Sequence, residues 1–406
     1  MSVITVDGQQ PFSYALNAAA AVAAPWSDLQ NDILNDQALN LARQTISAWD
    51  GYGETPLIPL PGLAAEIGVA ALHYKDEGGR FGLGSFKALG GAYAVLRLLA
   101  SQTGATMADV LEGQHKDAVA KTTVCCATDG NHGRSVAWGA QRFGCRCVIF
   151  LHATVSDGRE RAIAKYGAEI VRCDGNYDDS VRQAQETADR EGWFVVSDTS
   201  YPGYRDVPRD VMQGYEVMAA EAFDAMPAPP THIFLQTGVG GMAAAIVALA
   251  KRRWGDARPV IVLTDPDQSA CWVDSFAAGT PTAVEGDLDT LMAGLACGEV
   301  SSLAWDILSD HADAAMALTD DAAVAMMKRL AFPKGGDPAV VAGESAVNGL
   351  VGLQAGMSHR EVADAMQLNG QSRVLVFGTE SDTDPEVYQS LVGVTADTVK
   401  SAVPAD

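Results

Sequence analysis

Positive charge is scarce in this chain. Its 28 Lys and Arg face 51 Asp and Glu, leaving a net charge of −23 at pH 7 across 406 residues. Nucleic acids are recognised through clustered Lys and Arg, so that class of partner is not expected. Long apolar runs are also missing. No stretch reaches the roughly 18 residues that a membrane-crossing helix needs, so no membrane partner is expected. The segment "YALNAAAAVAAPW" looks like the core of an export signal, yet no Lys or Arg precedes Arg43. Without a basic leader the expected location is the cytoplasm, with an N-terminal extension to the fold.

Cysteine is sparse, at seven residues, too few for a disulfide framework in a chain of this length. Cys125, Cys126, Cys145, Cys147 and Cys173 sit in apolar, strand-like runs and read as buried thiols. Cys145 and Cys147 would share a strand face, but no His pair at ligand spacing accompanies them, so no metal site is expected. Cys271 and Cys297 could pair across a loop, which the sequence leaves open.

What is present is an ordinary globular composition, 48% hydrophobic and 19% charged, long enough for two domains. From about residue 69 onward, short apolar runs alternate with helical patterns. "VAALHY", "TTVCCATD", "CRCVIFLHA", "AEIVRCDG", "FVVSD", "IFLQTG", "PVIVLTD" and "SRVLVFGTE" read as strands. "FKALGGAYAVLRLLA", "HGRSVAWGAQRFG", "PRDVMQGYEVMAAEAF" and "GMAAAIVALAKRRWG" read as helices. That alternation implies an α/β fold with open, twisted, mostly parallel sheets flanked by helices. The Pro-rich "MPAPPTH", 226–232, marks a segment boundary. Between Pro266 and Arg360 the pattern reads as helices with loops.

In such folds ligands bind where strands end and helices begin, and four stretches fall there. "LQTGVGGMAAA" runs from a strand through Gly238, Val239, Gly240 and Gly241 into a helix. Glycine backbones let N–H groups close on a phosphate at a helix N-terminus. The same stretch fits the loose dinucleotide pattern G-x-G-x-x-A, with Asp265 placed to serve as the ribose acid. A tight packing turn without ligand also fits it. "ATDGNHG" offers Asp129 as an acid or base and Asn131 as a polar contact, or simply a turn and cap. "VVSDTSYPGY" ends a strand at Asp198, and "FGTESDTDP" ends one at Thr379, where turn formers are common.

A fifth stretch, "GLGSFKALGG", 82–91, holds a lone lysine, Lys87, just ahead of a helix. The positive end of a helix disfavours a lysine there. Apolar, positive surroundings also prepare an amine to form a Schiff base. A Schiff-base lysine, a separate glycine cradle and a strand-end hydroxyl together match what pyridoxal phosphate requires.

With those stretches in place, the chain resembles the fold-type II pyridoxal-phosphate enzymes, the class of threonine dehydratase and tryptophan synthase β. Within the class it looks most similar to the diaminopropionate ammonia-lyases. The likeness is carried by "RFGLGSFKALGG", "TDGNHGRSVAWGA", "SDTSYPGYRDVPRDVMQGY", "LQTGVGGMA", "LMAGLACGEVSSLAWDIL" and "GTESDTDPEVY", in family order over roughly residues 50–390. The resemblance implies that Lys87 carries the cofactor as a Schiff base, with Phe86 beside it. It implies that Gly238 to Gly241 hold the phosphate, that Asn131 touches the ring hydroxyl and that Thr379 faces the pyridine nitrogen. Asp129 and Asp198 would flank a small amino-acid substrate, one acid serving the D isomer and Lys87 the L isomer. The implied reaction is α,β-elimination of 2,3-diaminopropionate to pyruvate and ammonia.

The implied architecture has a large cofactor domain, 1–99 with 226–406, and a small one, 100–225, in a homodimer. A serine or threonine dehydratase, or a lyase for another β-substituted amino acid, is the nearest alternative. An NAD-dependent oxidoreductase and a non-catalytic phosphate binder are more distant ones. Three stretches depart from the family pattern: Gly84-Ser85 where Asn-Ala is expected, "SYPGY" in place of a Trp-containing step, and "GESAVNG" in place of a more glycine-rich run.

Overall fold

Runs rich in Val, Ile, Leu and Phe form the central strands, because such side chains fill a sheet buried on both faces. A computed structural model describes residues 3–6, 11–20, 24–128, 130–153, 155, 157–175 and 177–401. Its strands, in chain order, begin with β1 (Ile4–Val6), β2 (Phe12–Leu16), β3 (Leu57–Pro59) and β4 (Ala71–Asp76). Next come β5 (Thr123–Ala127), β6 (Arg146–Leu151), β7 (Glu169–Arg172) and β8 (Phe194–Val195). The last are β9 (His232–Gln236), β10 (Val260–Pro266), β11 (Ala314–Leu318) and β12 (Arg373–Gly378).

The chain divides into two units, one of residues 1–33, 54–84 and 218–406, the other of 34–53 and 85–217. The division expected at 99/100 and 225/226 therefore falls at 84/85 and 217/218, and 34–53 joins the second unit. Packing explains each shift. The helix Ala88–Thr103 lies so close to the helix Asn131–Phe143 that a Cβ on Gly139 would come within 2.8 Å of Ala92 Cα. Trp49 ties in the early segment, its ring 5.9 Å from Trp138 and 5.6 Å from Phe143. The Pro-rich stretch follows the helix Asp206–Ala225, whereas the division falls inside that helix.

The first unit holds an eight-stranded sheet ordered β1-β2-β11-β10-β9-β12-β4-β3. Its middle, from β11 to β4, is parallel. The β1–β2, β2–β11 and β3–β4 pairs are antiparallel. Strand β12 lies between β9 and β4, with Val374 opposite both His232 and Leu72. Phe234, Val262, Met316, Val374 and Val376 build the core on this sheet, each worth roughly 1.5–3 kcal/mol of apolar burial. β11 corrects the reading of 266–360 as helices and loops: "AAMAL" is fully buried yet carries no β-branched residue to signal a strand. Likewise β2 makes part of the N-terminal extension a sheet member.

In the second unit β7-β6-β5-β8 form an all-parallel sheet. Cys125 and Cys173 pack with Val148, Phe150, Ala184 and Ala188 in its core, as buried thiols should. Cys271 and Cys297 are separate thiols, as are the other five. Among the described residues no cluster of metal-ligating side chains occurs, and no helix is long and apolar enough to cross a membrane. The motif loops follow the carboxyl ends of β5, β8, β9 and β12.

Candidate active site

Within the second unit, Lys87 is the N-cap residue of the helix Ala88–Thr103. The turn leading to it uses Gly84 at φ 83°. That left-handed geometry suits glycine, and asparagine is the next residue to tolerate it. The Gly-for-Asn departure therefore preserves the backbone path. Lys87 Nζ lies 2.6 Å from Asp198 Oδ2, with the two side chains 20% and 21% exposed. The ammonium also sits 5.3 Å from the Phe86 ring centroid and 5.7 Å from that of Tyr215. One carboxylate and two aromatic faces thus surround the amine.

Asp198 is set by a phenol. Tyr204 Oη donates to the Val195 carbonyl at 2.9 Å and accepts from Ser197 N at 3.0 Å, bracing the end of β8. Tyr201 stacks on Tyr204 at 5.1 Å, so the "SYPGY" departure forms a tight aromatic turn beside the carboxylate. Burial on its own would raise the Asp198 carboxyl, but the Lys87 charge beside it holds it well below the usual carboxylate range.

His132 Nε2 is 2.8 Å from the Val196 carbonyl. A carbonyl only accepts, so Nε2 carries the hydrogen, and the neutral ring turns its Nδ1 lone pair toward Asp198 Oδ2, 3.8 Å away. Burial lowers the imidazole's proton affinity and keeps it neutral. Two acceptors face each other there, and a proton on either would join them. Asn131 opens the helix Asn131–Phe143 one residue earlier. Asp129 lies outside the described residues.

In the first unit the loop after β9 shows why its sequence needs glycine. Gly238 and Gly240 have φ of 56° and 99°, and a Cβ on Gly240 would fall 2.4 Å from the Trp272 ring. The loop's carbonyls are turned inward and paired. Thr237 O accepts from Gly240 N at 3.1 Å, and Val239 O accepts from Ser301 N at 2.9 Å. Gly238 O accepts from Trp272 Nε1 at 2.9 Å and faces Cys271 Sγ at 3.8 Å. With the loop's negative ends withdrawn, the start of the helix Gly241–Trp254, whose first N–H groups have no partner within the helix, suits a phosphate.

Thr379, 5% exposed, follows β12. Gln236 Nε2 donates to Thr379 Oγ1 at 2.9 Å and to the Phe377 carbonyl at 2.6 Å. The threonine oxygen is therefore an acceptor toward Gln236, and its O–H remains to donate to a neutral nitrogen.

The structure thus brings Lys87, Phe86 and Asp198 together in one unit, with Asn131 at the next helix start. It places Gly238 to Gly241 and Thr379 in the other, Thr379 linked to β9 through Gln236. Sequence reading missed His132, Tyr215, Gln236 and Trp272, whose roles come from strand and helix neighbours rather than local motif.

Asp265 does not stand where a ribose could reach it. It is fully buried, its Oδ2 accepting from Trp272 N at 3.2 Å, and burial pushes its carboxyl up to about 8, against hydrogen bonds from the loop. The acid that the dinucleotide pattern called for is sealed beneath the glycine loop. Between the ordinary Asp range near 4 and about 8, the native chain holds a proton that the unfolded chain has lost, so stability falls as pH rises. Asp265→Asn removes that dependence. Its melting temperature relative to the unmodified chain is expected to rise by several degrees between pH 5 and pH 8 in scanning calorimetry, and parallel curves would contradict the assignment.

Residues 48–380 match the family described as "Pyridoxal-phosphate dependent enzyme". The chain is 39% identical to the diaminopropionate ammonia-lyase of Escherichia coli K12 over 368 residues, 89% of this chain and 92% of that one. It is 36% identical to the Salmonella typhimurium LT2 protein of the same name, over 84% and 88% of the two chains. The crystal structure of the Escherichia coli enzyme with an aminoacrylate-PLP azomethine reaction intermediate superposes with a TM-score of 0.84 at 36% identity, covering 96% of this chain and 98% of that one. Tomato threonine deaminase shares the fold at TM-score 0.69 and 18% identity, over 94% and 99% of the chains.

Proposed function

The chain belongs to the pyridoxal-phosphate dependent enzymes, among the diaminopropionate ammonia-lyases, and we propose that Lys87, Asp129 and Asp198 are its catalytic groups. The reaction converts 2,3-diaminopropionate and water to pyruvate and two molecules of ammonia. Pyridoxal phosphate supplies an aldehyde that condenses with amines and a ring that draws electrons from the carbon beside them. The inward-turned carbonyls of the 237–239 loop support Gly238, Val239, Gly240 and Gly241 as the phosphate holders. Thr379, left with an O–H to donate, suits the ring nitrogen without protonating it. Phe86 packs beside Lys87, and Asn131 at its helix start suits the ring hydroxyl.

The observation that carries this reading is the Lys87–Asp198 pair at 2.6 Å. A carboxylate fixed on the lysine balances the amine's charge each time it takes a proton from the substrate's α-carbon. Asp129 is the base for the other enantiomer. Two carboxylates also hold a substrate bearing a cationic β-amino group, which takes the C–N bonding pair and departs as neutral ammonia. The same reading includes a location in the cytoplasm and a homodimer, the latter tested by light scattering on the purified protein.

The function test compares turnover on D- and L-diaminopropionate, serine and threonine. Diaminopropionate is expected to exceed the hydroxy amino acids by at least about a hundredfold, since a site built for a cationic leaving group leaves its carboxylates unpaired with a neutral one. Comparable rates on serine or threonine would make the enzyme a dehydratase instead.

A further inference from the structure

Two glycines make room for one side chain in the second unit. A Cβ on Gly90 would lie 2.4 Å from Tyr215 Cε1, and one on Gly214 would lie 2.0 Å from the Leu89 carbonyl oxygen. The helix Ala88–Thr103 and the opening turns of Asp206–Ala225 therefore meet backbone to backbone, and Tyr215 fills the notch. Its ring stands 4.7 Å from Phe86 and 5.7 Å from Lys87 Nζ. The residue is 1% exposed, and its hydroxyl completes no hydrogen bond among the described residues. Burial raises the phenol far above its ordinary range, Lys87 pulling it back and Asp198 adding to the rise, so it stays protonated. A sealed hydroxyl needs a partner, and the Lys87 amine is the side chain placed to hydrogen-bond with it.

We propose that Tyr215 is a positioning residue acting through Lys87: its hydroxyl donates to Nζ when the amine is uncharged, fixing the direction of the lone pair. The proposal rests on Lys87 being the reactive lysine. Lys87 is faced by Asp198 from the loop after β8, by neutral His132 from the helix Asn131–Phe143, by Phe86 and by Tyr215. Lys87 and Asp198 are the charged groups that face Tyr215. The two polar partners of Nζ have opposite preferences. Asp198 holds the ammonium; a protonated phenol gives its hydrogen bond to the free amine. An amine that alternates between those states keeps one fixed partner in each.

The test is Tyr215→Phe, which keeps the ring and its packing and removes only the oxygen. In the full chain stripped of cofactor, carbamoylation of Lys87 by cyanate is followed by mass spectrometry from pH 6 to 10. The midpoint of reactivity is expected to move up by roughly one pH unit, the worth of one hydrogen bond to the neutral amine, and turnover of the loaded enzyme to fall about tenfold. Should this variant fail to fold, 3-fluorotyrosine at position 215 retains the shape with a stronger donor, and the midpoint should move down. An unchanged midpoint in whichever variant folds overturns the proposal, whatever happens to turnover. Borohydride reduction of the loaded enzyme separates the two readings. A reduced cofactor found on a lysine other than Lys87 would sink the assignment of Lys87 above, while the cyanate profile would still report on Tyr215.

Discussion

On the proposed assignment, Lys87→Ala is expected to lower turnover of both diaminopropionate enantiomers by about 10^4-fold, the scale of losing a group proposed as both general base and point of covalent attachment. Asp129→Asn is expected to spare the L isomer and to lower the D isomer by about 10^2-fold or more. Steady-state rates on each enantiomer measure both. Equal losses on the two isomers in Asp129→Asn would remove that residue from the catalytic set. The alanine variant should remain folded, because its side chain is 20% exposed and pairs with a carboxylate equally open. Its visible consequence lies with Asp198. Lys87 is what outweighs burial there, so without it the Asp198 carboxyl titrates upward. In the unmodified chain the depressed carboxyl contributes stability above the ordinary Asp range, lost as pH falls through the native value. The acid limb of the melting curve in Lys87→Ala should be correspondingly flatter.

Arg80→Met should produce the largest loss of stability, about 3–5 kcal/mol, or roughly 10 °C in melting temperature. Arg80 is 1% exposed and clamps two buried carboxylates. Its guanidinium meets Glu77 twice at 2.8 Å and Glu221 at 2.6 and 3.0 Å. Lys75 closes the set, 2.7 Å from Glu221, so two cations balance two anions without solvent. Methionine fills similar space but leaves two buried anions to one lysine. Removing a carboxylate as well, in Arg80→Met with Glu77→Gln, should recover part of the loss. By contrast Arg182→Met breaks a pair whose side chains are 64% and 34% exposed, and should cost no more than about 1 kcal/mol. Similar melting temperatures for Arg80→Met and Arg182→Met would mean that the buried network is not holding the first unit together. Burial opposes ionisation of Glu221, but Arg80 and Lys75 win and lower its titration. That contribution is present at neutral pH and fades as pH drops below the ordinary Glu range.

The strand-end loops were legible because glycines and helix starts punctuate the chain after its apolar runs. Lys87 ahead of its helix and the glycines at 238, 240 and 241 fall where that reading put them, and the parallel core follows from "IFLQ", "VIVLT" and "VLVF". What stayed hidden was decided by topology. β11 is alanine and methionine, which say helix by propensity and become strand only beside β10 and β2. Tyr215 reads as one more apolar residue of an amphipathic helix until Gly90 and Gly214 are seen to open a notch for it. His132 looked like part of a turn motif, and only the Val196 carbonyl fixes which nitrogen faces Asp198. The unit boundary within Asp206–Ala225 has no local mark, since helical periodicity continues through it.

The placement of β12 has a consequence for how the protein comes off the ribosome. All of the second unit lies within the first 217 residues, so the lysine and its carboxylate can assemble while synthesis continues. The first unit must wait: β2 needs β11, some 300 positions later, and the sheet stays split between β9 and β4 until 373–378 emerges and is threaded between them. Contacts this distant in sequence form late. The Lys87–Asp198 pair therefore belongs to the part made early, and the sheet that carries the 237–241 loop closes only after β12 has been made.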